Sequence, residues 1–256
     1  MKSLMLALSM YSAIPMPYFD ADEKDCDMAI CFFPIVGIII GIIEYVWINI
    51  CIYLGFESTT ASLVGCALPL IITGGIHADG FIDTSDALSS YAPREKKLEI
   101  LKDPHVGAFG IIRFVIYIML VLASYSIMMT NYSDGITAAF CFSFALARTF
   151  SAYAALSIPN ARKEGMLYSL ARPQMDKKLR YIIVLQMLIL TLFMAAFDIY
   201  YAIAAILLMI LYYHLYKQKS IKILGGITGD LEGHYLCVME LLLTILAACF
   251  GLILRI

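Results

Sequence analysis

Three aspartates follow one another at helical spacing within the segment GGIHADGFIDTSDA, residues 74–87. Asp79, Asp83 and Asp86 stand at positions i, i+4 and i+7, so on an α-helix their side chains share one face. Like charges at this spacing destabilise an isolated helix by about 0.2–0.5 kcal/mol. A hard divalent cation such as Mg²⁺, Mn²⁺ or Ca²⁺ among the carboxylates would remove that repulsion. The pattern therefore predicts a metal site; the alternative is a solvated face on which Asp79 or Asp83 caps a helix.

The residues around these aspartates suit a ligand that carries phosphate. Gly74, Gly75 and Gly80 permit close backbone approach, which phosphate binding requires. His77 is a candidate catalytic residue, either as a base or as a donor to phosphate. The alternative for His77 is a polar residue at the membrane surface that has no chemical role.

A second glycine-rich stretch, LGGITGDLEGH at residues 224–234, repeats the spacing G-G-I-x-x-D and places Asp230 at its end. Thr228 and Gly229 add a hydroxyl and an exposed amide that could bind a phosphate. An ordinary turn before the last membrane span explains Thr228 and Gly229 equally well. The two stretches predict two turns that present an aspartate to the same compartment.

Two basic residues are candidates for contacts with an anionic substrate. Lys102 lies in LKDPHVGAFG, residues 101–110, and Arg162 follows the proline of IPNARKEGM, residues 158–166. The guanidinium of arginine matches the oxygens of a phosphate, and lysine can act as a point charge. The alternatives are a lysine that extends to the membrane surface and an arginine that serves only membrane orientation.

The composition is that of an integral membrane protein. Of 256 residues, 62% are hydrophobic and 15% are charged, and the mean hydropathy is +0.85. This predicts an all-α, polytopic helical bundle that forms one domain, residues 1–256, in a lipid bilayer. The net charge of -2 gives no argument for a nucleic-acid partner. The sequence leaves a homo-oligomer open.

The apolar runs predict about seven membrane spans, within a range of six to eight. The second run is short, and two helices would meet at Asp198 with almost no loop. The predicted spans cover residues 29–55, 60–75, 107–130, 136–158, 181–197, 199–216 and 236–254.

Basic residues predict the orientation of the chain, because cytoplasmic loops carry an excess of lysine and arginine. The N-terminus and the loops 76–106, 159–180 and 217–235 hold 15 of the 18 basic residues. We therefore expect a cytoplasmic N-terminus, an active site that faces the cytoplasm, and a location in the cytoplasmic membrane. The first residues, 1–20, are expected to lie on the membrane interface.

Four ionisable residues fall within apolar spans, where charges are costly and usually face the interior of a bundle. The sequence leaves open how they pair. They are Glu44, Arg113, Arg148 and Glu240.

Carboxylates, glycine turns and arginines on one side of a membrane together predict metal-assisted phosphoryl transfer. In that chemistry, metal ions bridge a diphosphate and neutralise charge on the leaving phosphate while an acceptor hydroxyl is held in line. A membrane setting favours an amphipathic substrate or acceptor.

The order of these motifs resembles the cobalamin synthase family. GGIHADGFIDTSDAL is followed by REKKLEILKDPHVGAFG and later by GGITGD, while FFPIVGIIIG at 32–41 and IPNARKEGM match other segments of that family. The chain departs from the family pattern at Ala13, where arginine is usual, at Pro104-His105, where serine-arginine is usual, and at Cys237, where an acid is expected.

The resemblance implies a transferase that joins adenosylcobinamide-GDP to α-ribazole, or to its 5′-phosphate, with Mg²⁺ as cofactor and release of GMP. It carries over Asp79, Asp83, Asp86 and Asp230 as candidates for the metal or phosphate site and Arg162 as a substrate contact, while the individual roles below are inferred from the chemistry of the residues. The metal candidates are Asp79, Asp83, Asp86 and Asp230. The catalytic candidates are Asp83, Asp79 and His77. The substrate-binding candidates are Gly75, Lys102, Arg162, Thr228 and Gly229.

Two other functions stay open from the residues alone. A CDP-alcohol phosphotransferase of lipid synthesis also carries aspartates one helical turn apart, but Asp79-Gly80 lacks that family's upstream aspartate and its arginine. A cation-coupled transporter also has acids within membrane helices, but transporters place them near the middle of the bilayer, and here they cluster at one end.

Overall fold

The computed structural model describes residues 1–162 and 177–253, which form ten α-helices. Most of the predicted loop 159–180, including Lys163 and Arg172, lies outside the described residues. The helices are α1 (Lys2–Tyr11), α2 (Glu23–Leu54), α3 (Ser58–Thr73), α4 (Ile76–Ser89), α5 (Arg94–Ile100), α6 (Ala108–Thr130), α7 (Asp134–Ser157), α8 (Lys177–Phe197), α9 (Ile199–Leu224) and α10 (Gly229–Ile253).

Six of the described helices are long and apolar enough to cross a membrane: α2, α6, α7, α8, α9 and α10. The predicted all-α, multi-pass architecture is confirmed. The short second span of the sequence analysis is α3, which has 16 residues. It meets α4 at an angle of 95°, so this pair counts as one broken span at most. The described residues therefore contain six to seven spans, which agrees with the predicted number.

Several helix ends follow from recognisable capping residues. Asp22 and Asp25 form a capping box at the start of α2, and Gly55 ends that helix in a left-handed conformation with φ 67°, which glycine adopts without steric cost. The junction between α8 and α9 is the single residue Asp198, whose side chain accepts a hydrogen bond from the amide of Tyr201 at 2.8 Å. The short junction predicted there is confirmed.

Helix α7 forms the centre of the bundle and is buried along nearly its whole length. Glycines on α2 allow this close packing: a Cβ on Gly37 would lie 2.5 Å from Cα of Ala145, and a Cβ on Gly41 would collide with the carbonyl of Cys141. Small residues let helix backbones approach each other, which is how helices associate in membranes. The central position of α7 fixes where its polar side chains lie.

The N-terminal segment packs against the bundle. Ala7 of α1 is fully buried, and the hydroxyl of Ser3 donates to Asp25 at 3.0 Å. Beyond α1, the amide of Ala13 donates to the carbonyl of Ile72 at 2.8 Å. These contacts attach the segment to α2 and to the end of α3, and its predicted place on the membrane interface stays a prediction.

Candidate active site

The acidic face lies on α4, which begins directly after a sharp turn. Gly74 and Gly75 have φ values of 65° and 77°, a left-handed conformation that favours glycine. They end α3 and turn the chain through 95° into α4. Asp79, Asp83 and Asp86 lie on this helix, as the spacing predicted. Asp79 is exposed, and the two others are partly buried.

Helix α10 crosses α4 at a contact made by glycines. A Cβ on Gly80 would lie 2.8 Å from the carbonyl oxygen of Asp230, and a Cβ on Gly233 would lie 3.0 Å from that of His77. Larger residues at either position would push the two backbones apart. This crossing brings Asp230, in the first turn of α10, beside the acidic face. Two aspartates from distant parts of the sequence, Asp79 and Asp230, thus reach the same site.

The carboxylates of this site act on one another electrostatically. Burial first of all, and then the charges of Asp79, Asp230 and Asp86, together raise the pKa of Asp83 to about 6. Mutual repulsion of this kind indicates a site that gains stability from a cation. Within the part of the chain that the structure describes, no three His, Cys, Asp or Glu side chains form a ready-made metal cage. Carboxylate donors in this arrangement fit Mg²⁺, which binds through one or two carboxylates together with substrate phosphates and water.

Asp86 has a more restricted position than the other two aspartates of α4. Its carboxylate lies against Gly107, which precedes α6, and a Cβ on Gly107 would collide with it. The positive end of the α6 dipole is therefore next to Asp86. Lys102, a substrate-binding candidate, is exposed in the segment between α5 and α6.

The chain after α7 pairs with the turn before α10. The amide of Ala161 donates to the carbonyl of Ile227 at 2.8 Å, and the amide of Ile227 donates to that of Pro159 at 2.9 Å. Gly226, with φ 153°, has no room for a Cβ beside Pro159. This pairing brings Arg162 within electrostatic reach of Asp230.

Arg162 is held at this place by a backbone contact. Its guanidinium donates to the carbonyl of Leu98 in α5, and its Nε is buried without a hydrogen-bond partner among the described residues. The predicted substrate contact thus lies next to the acidic face. Arg162 therefore belongs to a site to which three sequence segments contribute, residues 74–87, 158–166 and 224–234.

Thr228 and Gly229, the two substrate-binding candidates at the start of α10, differ in their surroundings. Thr228 is buried, and its hydroxyl accepts a hydrogen bond from the amide of Leu231 at 3.2 Å, so it caps the first turn of α10. A Cβ on Gly229 would meet only open space. The helix begins at Gly229, which leaves residues 225–228 as the connection from α9 where the sequence analysis expected a longer loop.

A second arginine, Arg94, reaches the same turn. Its guanidinium lies so close to Gly225 that a Cβ on that residue would collide with it. The sequence analysis counted Arg94 only as a loop charge, because nothing in its local spacing relates it to Gly225, 131 positions later. The signal that could have identified it is its place at the opening of REKKLEILKDPHVGAFG, a motif of the family resemblance.

His77 faces the interior of the bundle. Its Nε2 is buried and has no hydrogen-bond partner among the described residues, and its ring packs 5.6 Å from the ring of Phe33. Burial lowers the pKa of His77 to about 3, with a smaller contribution from the charge of Arg148. The imidazole is therefore neutral at physiological pH. The backbone carbonyl of His77 accepts a hydrogen bond from the thiol of Cys237 at 3.4 Å.

The structure assigns partners to the ionisable residues of the spans. Arg148 binds Glu240 at 2.8 Å in a buried ion pair. Glu44 is fully buried and accepts a hydrogen bond from the hydroxyl of Tyr125 at 2.6 Å. Arg113 differs from the other three residues, because it lies near the start of α6 and its side chain is exposed and not buried in the interior of the bundle.

A further buried acid supports the start of α10. Glu232 accepts hydrogen bonds from Ser151 at 2.6 Å and from Tyr216 at 2.9 Å. These contacts tie α10 to α7 and α9, two residues beyond Asp230. The sequence analysis missed Glu232 because its partners lie on other helices.

Comparisons with known proteins agree with the motifs. The pattern of the Cobalamin-5-phosphate synthase family matches residues 3–248. The adenosylcobinamide-GDP ribazoletransferase of Lachnoclostridium phytofermentans is 34% identical over 242 residues, which cover 94% of this chain and 91% of that protein. The protein of the same name from Clostridium botulinum (strain Alaska E43) is 32% identical and covers 94% of both chains. That of Alkaliphilus oremlandii is 33% identical and covers 91% of both. No solved structure matches the chain.

Proposed function

This chain belongs to the cobalamin-5-phosphate synthase family, and from that premise we propose that it joins adenosylcobinamide-GDP to α-ribazole or its 5′-phosphate and releases GMP. Membership of the family makes it a ribazoletransferase of late cobalamin biosynthesis. The bond formed links the cobinamide phosphate to the acceptor hydroxyl, and the bond broken is the phosphoanhydride to GMP. The observation that supports this chemistry is the meeting of the α4 aspartates with Asp230 and Arg162.

The carboxylates of Asp79, Asp83 and Asp230 would hold Mg²⁺ together with the diphosphate of the substrate. Asp86, which lies against Gly107, would add a further negative charge beside the other aspartates of α4. When bound, Mg²⁺ would neutralise the charge that develops on the leaving phosphate. The chain itself supplies the fixed placement of these acids through the Gly80–Gly233 crossing.

The two arginines would bind the phosphates of adenosylcobinamide-GDP. Arg162 and Arg94 both lie beside the turn 225–228, and a guanidinium can form two parallel hydrogen bonds with phosphate oxygens. Gly229 and Gly75 leave open space for the substrate. Lys102, which is exposed in the segment between α5 and α6, would add positive charge that attracts the anionic substrate.

Asp79 would orient the acceptor hydroxyl, because it is the most accessible carboxylate of the acidic face. His77 stays a candidate for catalysis, but its buried Nε2 faces away from solvent. Proton transfer through that atom would lead into the bundle. We therefore assign His77 to the positioning of α4.

The excess of basic residues supports a cytoplasmic active site in the cytoplasmic membrane. Helix α5 carries Arg94, Lys96 and Lys97 and is held beside α4, because the amine of Lys97 donates to the carbonyl of Ala87 at 3.3 Å, and cytoplasmic segments carry such charges. Labelling of a cysteine introduced at exposed Lys96 in intact cells and in inverted vesicles would test this orientation.

The activity can be tested with the purified protein in lipid nanodiscs. We expect adenosylcobinamide-GDP, α-ribazole and Mg²⁺ to yield a new corrinoid and an equal amount of GMP. Assays with α-ribazole and with its 5′-phosphate distinguish the acceptors. A CDP-activated lipid that yields CMP, with no GMP from the corrinoid substrate, would instead identify a CDP-alcohol phosphotransferase. Uptake without turnover would identify a transporter.

A further inference from the structure

A cavity of about 40 Å³ lies inside the helical bundle, with both apolar and polar side chains on its wall. It lies beyond the acidic face, behind the first turn of α4, and helices α2, α3, α4, α6, α7 and α10 surround it. The polar side chains that line it include Glu44, His77, Tyr117, Tyr125, Arg148 and Glu240.

Three buried polar atoms on this wall have no hydrogen-bond partner within residues 1–162 and 177–253. They are Oε1 of Glu44, Nε2 of His77 and Nε of Arg148, and they come from three different helices. Buried polar groups are nearly always hydrogen-bonded, because an unpaired one retains its full cost of desolvation. Three such atoms around one cavity indicate a polar ligand that binds all of them.

The volume of the cavity suits water. A buried water molecule needs roughly 10–15 Å³ of such space and two to four polar partners, so this cavity of about 40 Å³ has room for about three. The Nε–H of Arg148 can only donate, and the carboxyl of Glu44 can accept. Water can satisfy both, whereas a metal cation would be repelled by the adjacent guanidinium.

The charges around the cavity do not balance when every acid is ionised. Arg148 is paired with Glu240 at 2.8 Å, and in the described chain Glu44 has only the neutral hydroxyl of Tyr125 as donor. An isolated carboxylate inside a membrane protein is strongly disfavoured unless it is neutralised. The titratable or charged groups that face Glu44 from the surrounding helices are Cys66, His77, Tyr117, Tyr125, Cys141, Arg148, Cys237 and Glu240.

We propose that this cavity is a hydrated proton-binding site, in which a small cluster of water molecules bridges Arg148, Glu44 and His77, and Glu44 carries the exchangeable proton. The acid on α2 is thereby joined to the first turn of α4, the helix that carries the acidic face. This inference stands on the cavity and its unpaired atoms, and it does not depend on the proposed transferase reaction.

Infrared difference spectroscopy of the full-length protein in nanodiscs tests the proposal without an activity assay. A protonated buried carboxylic acid has a carbonyl stretch that an ionised carboxylate lacks. Because Asp83 and Glu232 can absorb in the same region, the band of Glu44 is the difference between the unaltered protein and Glu44→Gln. We expect this difference band at mildly acidic pH and its loss as the pH rises. Glu57→Gln is the matched control, because Glu57 is exposed at the start of α3, and it should keep the band.

Two further measurements make the outcome decisive. Exchange into D₂O should shift the band, because water reaches the proton; a band that does not shift would show a dry cavity and overturn the proposal. Tyr125→Phe removes the hydrogen bond to Glu44 and should let the band persist to higher pH. If no band is lost in Glu44→Gln and Tyr125→Phe changes nothing, Glu44 is ionised and the proposal is wrong.

Discussion

The two acidic regions of this protein use the same residue types in opposite ways. On α4, the aspartates share one helix face without a cation between them in the described chain, and burial together with their repulsion raises the pKa of Asp83 to about 6. Inside the bundle, Glu240 is neutralised by Arg148 at 2.8 Å. Charges that await a ligand stay partly exposed and unbalanced, whereas charges that support a fold are paired when they are buried. Burial and pairing therefore distinguish a site for substrate from a structural contact.

The largest expected effect comes from Asp83→Asn, which tests the first half of this contrast. Loss of one carboxylate from the acidic face should lower turnover by about a thousandfold or more, since transition-state stabilisation by a held metal is worth several kcal/mol. GMP release from the nanodisc-embedded protein measures it. Asp134→Asn is the matched control. Asp134 is the first residue of α7, whereas the chain reaches the site after the last residue of that helix, so turnover of this variant should be unchanged. A variant that fails to insert would make Asp83 a structural residue.

Arg148→Ala tests the second half of the contrast. It leaves Glu240 buried without its partner, and breaking a buried ion pair costs about 3–5 kcal/mol of stability. Chemical denaturation in detergent should show the loss. The double variant Arg148→Met, Glu240→Leu removes both charges and should recover much of it. Equal stability of the single variant and the unaltered protein would refute a structural role for the pair.

Gly80→Ala probes how closely α4 and α10 must meet. Its Cβ would lie 2.8 Å from the carbonyl oxygen of Asp230, so the helices must separate, and a displacement of about 1 Å can cost a hundredfold in rate. Gly135→Ala produces a clash of the same 2.8 Å with the carbonyl of Phe197 at the other end of the bundle. We expect kcat to fall only in Gly80→Ala; an equal fall in both would mean that general destabilisation is the cause.

Arg94→Ala tests whether the arginine near the acidic face binds the substrate. The loss of a charge-assisted hydrogen bond to substrate should raise KM about tenfold and leave kcat nearly unchanged, because that contact exists in both the ground and transition states. Lys96→Ala is the control: Lys96 is exposed and pairs with Glu99. An unchanged KM in Arg94→Ala would remove Arg94 from the site.

The smallest expected effect is a dependence of stability on pH. The pKa of Asp83 is raised in the fold, so its contribution is present at low pH and is lost as pH rises from about 4 through about 6. Solvent screening limits the change to about 1 kcal/mol. Thermal unfolding without Mg²⁺ should show this fall, and Asp83→Asn should reduce it. Mg²⁺ that raises the midpoint equally at low and neutral pH would contradict binding at ionised Asp83.

Local spacing was enough to predict the acidic face, since residues three and four positions apart must share a face of a helix. The glycine spacing placed Asp230 at a turn near the start of the last span, and the lengths of the apolar runs placed Asp198 between two helices. Apolar run length predicted the multi-pass bundle, although α3 is only half of a broken pair. Whether these residues bind metal and substrate stays a prediction.

Contacts between helices could not be predicted in this way. The position of Arg94 beside Gly225, the pairing of Glu44 with Tyr125 and the exposure of Arg113 depend on how helices cross and rotate. Those angles follow from packing around glycines such as Gly80, and a single sequence does not encode them in any local period. Glu232 was missed for the same reason.

The right-angle turn at Gly74 and Gly75 has a consequence for how a bulky substrate reaches the protein. A continuous span would carry its aspartates one above another, at increasing depth. The turn instead sets α4, and with it the row formed by Asp79, Asp83 and Asp86, at 95° to α3. In the proposed reaction, the diphosphate of the substrate would therefore meet carboxylates that lie side by side along one short helix.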